Sequence, residues 1–250
     1  MDIGLAGKVV LVTGAGRGIG KDIAMTFAQE GAKLVATDLD AANAQATAAE
    51  AEGAGAEAIG LALDVTSFDG ATTAVAAAVE KFGGIDVLVN CAGAWRINLF
   101  VDSTPDDWAF EINTCLLGVI NVTRAVLDPM IAGGGGKIVN ISSDAGRVGE
   151  FRQAVYSGAK AGVIGFSKAL AREVGRHGIH VNCVCPGYTK TPGTDGMLDE
   201  ALEARIAKGY PLRKLGVPED IGKVVAFLAG EGASHTTGQT ISVSGGYTMA

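Results

Sequence analysis

Basic residues are in the minority: 20 lysines and arginines against 27 acidic residues leave a formal charge of −7. That balance argues against a nucleic-acid surface or an anionic membrane as the main partner. Aromatic residues are scarce, at 6%, so the core is expected to be built from small aliphatic side chains. No apolar run approaches the roughly 18 residues of a membrane span, and the opening Met1-Asp2-Ile3-Gly4 lacks the basic and apolar regions of a signal peptide. The expectation is a soluble, untargeted, cytoplasmic protein. Cysteine is limited to Cys91, Cys115, Cys183 and Cys185, with no CxxC pair and no histidine at metal spacing. This argues against a metal site and for reduced, buried thiols.

What the chain has in excess is glycine. Thirty-seven in 250 residues is about twice the ordinary share, without a collagen-like period, so many backbone positions must be tight turns or close approaches. Apolar residues make up 48% and charged residues 19%, enough for a buried core and no case for disorder. Short β-branched runs alternate with helix-length stretches. The runs are Lys8 to Thr13, Lys33 to Asp38, Glu57 to Leu63, Asp86 to Asn90, Lys137 to Ser142, Ile179 to Val184 and Thr240 to Val243. Helices are expected at about 18–30, 40–53, 67–82, 104–132, 155–176 and 218–230. A βα repeat of this kind predicts an α/β fold: a doubly wound Rossmann parallel sheet of about seven strands, with helices on both faces. No linker divides the chain, so one domain over 1–250 is expected. From Pro186 to about Lys214 the rhythm breaks, with Pro192, Gly193, Gly196 and Pro211 and one short helix near Asp199 to Ala207. An excursion of that length after a strand's carboxyl end predicts a substrate lid over about 186–214.

The first strand runs into Thr13-Gly14-Ala15-Gly16-Arg17-Gly18-Ile19-Gly20 and then a helix. The pattern is Gly-x-x-x-Gly-x-Gly through Gly14, Gly18 and Gly20: a tight turn, a backbone able to lie against a pyrophosphate, and a helix N-terminus facing the phosphates. Asp38 ends the second strand, 24 residues beyond Gly14, with Leu39 beside it, where a carboxylate can accept the adenosine ribose hydroxyls. This favours NAD, because a 2′-phosphate against Asp38 would cost about 4 kcal/mol per charge pair at an effective dielectric near 20. Arg17 argues the other way, for NADP. Asp64-Val65 after the third strand and Asn90-Cys91-Ala92-Gly93 after the fourth are placed to border the dinucleotide.

Tyr156-Ser-Gly-Ala-Lys160 puts a phenol and an ammonium on one helix face. A tyrosine with pKa near 10 is a poor base at neutral pH. A cation beside it, joined by an oxidised nicotinamide, is expected to stabilise the phenolate. Thirteen residues earlier stands Ser143, able to hold a substrate oxygen. Ser142 is its rival, and strand alternation sends the two hydroxyls to opposite faces.

Taken together, the glycine turn, the acid after the second strand, the N-x-A-G stretch, the serine and the Y-x-x-x-K resemble the short-chain dehydrogenase/reductase family from Lys8 to Gly246. The resemblance implies roles. Tyr156 would be the general acid/base, Lys160 would tune it and hold the nicotinamide ribose, and Ser143 would orient the carbonyl. Asn113, in Ile112-Asn113-Thr114, would anchor a relay water. Pro186, Gly187, Thr189 and Thr191 would cup the nicotinamide carboxamide and pyrophosphate. The departures from the family pattern are Cys91, where asparagine is commoner, and Thr189, where an aliphatic residue is frequent. The resemblance also implies a homotetramer, which the small residues Gly158, Ala161, Gly162, Gly165 and Ala169 would permit.

Substrate contacts are expected from Trp95, Asp144, Gln153 and Tyr188, the aromatic pair suiting a cyclic or aryl substrate. Arg147, Arg152, Lys190 and Arg213 are candidate partners for phosphates. Ile141 to Gly149, Val184 to Gly187 and Ser242 to Met249 resemble the loops of 2-hydroxycyclohexanecarboxyl-CoA dehydrogenases, implying a cyclic hydroxyacyl-CoA thioester as substrate. The alternatives are a free cyclic or aryl secondary alcohol, a 3-oxoacyl carrier-protein substrate, and an idle NAD-binding sensor. The acidic balance and Gly133 to Gly136, where carrier-protein reductases are basic, weigh against the carrier protein.

Overall fold

The β-branched runs become strands in the computed structural model, which describes residues 3–193 and 199–249. They are β1 (Val9–Thr13), β2 (Lys33–Asp38), β3 (Ala58–Ala62), β4 (Val87–Asn90), β5 (Gly136–Ile141), β6 (Ile179–Pro186) and β7 (Thr240–Val243). They form one parallel sheet in the order β3-β2-β1-β4-β5-β6-β7. Between them lie α1 (Gly18–Gln29), α2 (Ala41–Gly53), α3 (Phe68–Phe82), α4 (Pro105–Ile112), α5 (Gly118–Ala132), α6 (Ala145–Val148), α7 (Ala154–Val174), α8 (Glu200–Ala207) and α9 (Pro218–Ala229).

Strand alternation sorts the core into two layers. Val10 and Val12 of β1 pack with Ile23 and Phe27 of α1 and Ile221 and Val225 of α9. Val9 and Leu11 face the other way, toward Val75 of α3, Val122 and Val126 of α5 and Leu170 of α7. The strand order reverses between β1 and β4, and that switch opens a crevice above the carboxyl ends of the strands, where ligands of such sheets bind.

Two sequence expectations change. The stretch 104–132 is one continuous helical run, but Asn113–Leu117 is a π turn joining α4 to α5. Pro105–Ala132 is also long and apolar enough by length and composition to cross a membrane, which the run-length reading missed. Its α5 half puts Val122, Val126 and Met130 into the core, as a core helix does. In the expected lid, Asp199 caps α8 through Leu202 N–H at 2.7 Å, and residues 194–198, with Gly196, lie outside the described residues. All four cysteines are free thiols.

Candidate active site

One cleft of about 1150 Å³ runs along the strand ends. Its first part is bare backbone. Gly14 and Gly18 take φ of 65° and 58°. A methyl at Gly14 would lie 2.8 Å from Ala92 Cα, and one at Gly20 would lie 2.1 Å from the Gly14 carbonyl oxygen. No side chain fits, so peptide groups and the N-terminus of α1 face the cleft, as an anion requires. Thr47 clamps the turn by donating to Ala15 O at 2.9 Å. At the end of β2, Asp38 Oδ2 accepts Gly16 N–H at 2.9 Å and Oδ1 accepts Asp40 N–H at 3.1 Å, so the carboxylate is fixed against the glycine turn. Arg17, Ile19, Leu39, Asp64, Val65, Ala92, Gly93, Pro186, Gly187, Thr189 and Thr191 also line this cleft. Among them Thr191 lies across from Gly18, 3.4 Å from where a Cβ would stand. The glycine cradle and the Asp38 carboxylate fit a nicotinamide dinucleotide.

Asn90 is placed elsewhere. It is buried, donating to Thr123 Oγ1 at 3.0 Å and Asn140 Oδ1 at 2.8 Å, while Asn140 donates to Ser167. Its side chain ties β4 to β5 and α5, and the dinucleotide border passes to Cys91, Ala92 and Gly93.

The first turns of α7 carry Tyr156 and Lys160, with the Lys160 ammonium 5.7 Å from the Tyr156 ring centre. Lys160 Nζ donates to Ile141 O at 2.8 Å. Alternation past β5 separates the two serines. Ser142 donates to Lys160 O at 2.8 Å and bolts α7 to the sheet. Ser143 accepts Ala145 N–H at 3.1 Å and lines the cleft together with Tyr156 and Lys160. The structure therefore brings Ser143, Tyr156 and Lys160 together.

Electrostatics amends the expected tuning. Burial raises the Tyr156 phenol above its ordinary value, and Lys160 and Ser143 only partly oppose that rise. Burial alone would lower Lys160. The negative charge Tyr156 gains on ionising, with that of Cys115, Cys91 and Cys185, outweighs burial and raises it. The cleft thus holds an ammonium beside a protonated phenol.

Asn113 does not join the group: it is exposed on the helix and outside the cleft lining. The π turn instead directs Cys115 inward. Its thiol donates to Ala94 O at 3.0 Å and accepts Ala94 N–H at 3.4 Å, clasping the loop after β4. A five-residue turn breaks the 3.6-residue period, so spacing could not have singled out Cys115.

Asp144 is brought to the cleft lining, and its carboxylate is engaged within the protein. Only 1% exposed, its carboxylate accepts Ser242 Oγ at 2.8 Å and pairs with Arg147 at 3.6 Å, which makes it a brace between β7 and the Ser143 loop. Trp95 meets Tyr156 edge-on at 6.4 Å. Gln153 and Tyr188 line the same side, joined by residues that sequence reasoning missed: Ile97, Phe110, Glu150, Phe151, Ile206, Tyr210 and Tyr247. They come from four distant segments and share no motif.

A phenol with an ammonium and a serine hydroxyl beside a glycine cradle that fits a dinucleotide is an arrangement suited to oxidoreductase chemistry. Comparison with known proteins places it more closely. The family profile described as Enoyl-(Acyl carrier protein) reductase matches residues 14–248. The 3-oxoacyl-[acyl-carrier-protein] reductase FabG of Vibrio cholerae is 41% identical over 98% of this chain and 99% of its own. The acetoacetyl-CoA reductase of Allochromatium vinosum is 40% identical over 97% and 99%. A crystal structure provisionally named a short-chain alcohol dehydrogenase, from Sinorhizobium meliloti 1021, superposes with a TM-score of 0.94 at 36% identity, covering 99% of this chain and 98% of that one. The chain belongs to the short-chain dehydrogenase/reductase family and is an oxidoreductase of that type. The carrier-protein activity in the first relative's name is the one the sequence reading ranked lower.

Proposed function

We propose that this protein is an NAD-linked dehydrogenase that interconverts a secondary alcohol and a ketone on an acyl thioester, with a bulky or cyclic acyl group. The observation that carries the substrate reading is the aromatic wall of Trp95, Phe151, Tyr188, Tyr210 and Tyr247, which suits an apolar ring and a neutral thioester arm. The names of the relatives, which specify acyl-carrier-protein and CoA substrates, support the thioester. The bonded Asp38 supports NAD over NADP, since its charge opposes a 2′-phosphate.

The bound nicotinamide would take up or give the hydride and, when oxidised, add positive charge to the site. Ser143 holds the substrate oxygen, and Tyr156 exchanges a proton with it. Lys160, with its ammonium near the phenol, offsets the burial that keeps Tyr156 protonated, and its own position is set by Ile141 O and the Ser142 bolt.

One observation favours a second reading, a free cyclic or aryl secondary alcohol. The four cations expected to meet CoA phosphates are engaged: Arg147 with Asp144 and Thr248, Arg152 with Ile97 O, Lys190 with Glu203 and Arg213 with Lys208 O. The exposed stripe Gly158, Ala161, Gly165 and Ala169 of α7 supports assembly into a homotetramer, which a sedimentation measurement would check.

The deciding experiment follows NADH absorbance with 2-hydroxycyclohexanecarboxyl-CoA, cyclohexanol and a 3-oxoacyl carrier protein, each with both cofactors. The expected result is a kcat/KM for the CoA ester with NAD at least tenfold above the others. Equal efficiency on cyclohexanol would overturn the thioester reading, and preference for the carrier protein with NADPH would overturn both refinements.

A further inference from the structure

Side chains from three distant segments join along the far wall of the substrate side. Tyr247, from the tail after β7, stacks on Tyr210 of the lid with ring centres 5.2 Å apart and planes 19° from parallel. Its hydroxyl donates to Glu150 Oε2 at 3.2 Å, and the Tyr210 hydroxyl accepts Tyr188 N–H at 3.2 Å. The Glu150 N–H donates to Ser157 Oγ at 3.1 Å, which fixes its backbone to the first turn of α7, the turn that carries Tyr156. Its other oxygen accepts Phe151 N–H at 3.1 Å.

Charge sets Glu150 apart from the other acids of the cleft. Asp38, Asp40 and Asp64 belong to the cofactor side, and Asp144 is paired with Arg147. Glu150 is in no ion pair among the described residues. The cation at the reacting centre, Lys160, is bonded to Ile141 O. A substrate in this cleft, of whose lining Glu150 forms part, therefore meets an uncompensated negative charge.

We propose that Glu150, held by Tyr247, is a specificity determinant that turns away substrates carrying a free carboxylate or phosphate beside the reacting carbon. The same molecules are admitted when that group is masked as a thioester or ester. This rests on the alcohol–ketone reading above and adds a repulsive element to it, the usual means of excluding a close analogue. Like charges in a partly dried cleft repel strongly, and salt screens them.

The test compares ethyl 2-hydroxycyclohexanecarboxylate with its free acid, two probes with the same ring and different charge. The native enzyme is expected to prefer the ester. Glu150→Gln should narrow the ester-to-acid ratio of kcat/KM by about tenfold or more, and Glu150→Asp should keep it, whereas a purely structural loss would lower both substrates together. Raising ionic strength from about 0.05 to 0.5 M should narrow the native ratio as well, which reads the charge without any substitution. An unchanged ratio in Glu150→Gln, or a salt-independent native ratio, overturns the assignment of Glu150 alone. Turnover of neither compound by the native enzyme overturns the cyclic-acyl reading and the proposal with it.

Discussion

The cofactor side of the cleft is walled largely by peptide groups from compact turns, Gly14 to Gly20 and Cys91 to Gly93, with the Asp38 carboxylate bonded to the first of them. The substrate side is walled by side chains from the loop after β4, the loop before α7, the lid and the tail. Backbone walls depend on where glycine is tolerated, so they constrain sequence tightly at fixed spacing. Side-chain walls depend on which of many residues happens to reach, so they constrain it loosely. A family can keep its cofactor and change its substrate because the two tasks rest on different materials.

The sharpest way to probe that division is at its seam. Tyr156→Phe removes the proton carrier and leaves the backbone cradle untouched. Turnover should fall by roughly 10³-fold, within the range of general acid–base catalysis, while the Kd for NAD, read by fluorescence quenching, stays within about twofold. A parallel loss of NAD binding would show that the two sides are not separable. Asp38→Ala tests the cofactor side alone. Losing hydrogen bonds to a charged group should lower kcat/KM for NAD by about 10- to 100-fold and raise the NADP-to-NAD ratio, with the order of preference among alcohol substrates unchanged. The smallest effect is expected at Cys115. Cys115→Ala opens the clasp on Ala94 and should raise the KM for a ring-bearing substrate by about two- to tenfold, on the scale of one or two neutral hydrogen bonds. Cys115→Ser should restore it, and steady-state kinetics would read both.

Legibility in the sequence followed the same line. The alternating strands and helices, the glycine turn, Asp38, Ser143, Tyr156 and Lys160 could be read because each depends on period or spacing along one stretch of chain. The structure brings those last three residues together as their spacing suggested. Asn113 was misplaced because a π turn shifts the helical phase by a residue, which composition does not reveal. Asn90 was read as a cleft residue from its position at a strand end. Burial decided otherwise, because the hydrogen-bond partners that claim it, Thr123 on α5 and Asn140 on β5, lie far away in sequence. Glu150, Tyr210 and Tyr247 were invisible for the same reason: their association is a product of the tertiary fold.

The π turn at Asn113–Leu117 also gives the long helix a history. A π turn is an α-helix holding one residue more than its period allows, so it behaves as an insertion retained in place. In a regular α-helix one extra residue would rotate all that follows by about 100°; the π turn absorbs it locally, so Val122, Val126 and Met130 stay on the sheet. With the extra residue, the two segments keep separate phases. α5 is committed to the core, while α4 can exchange the residues it shows the cleft, such as Phe110, without disturbing a buried contact of the sheet. The helix works as two independently editable parts joined by a phase shift, and new substrate preferences can accumulate on one part while the other carries the fold unchanged.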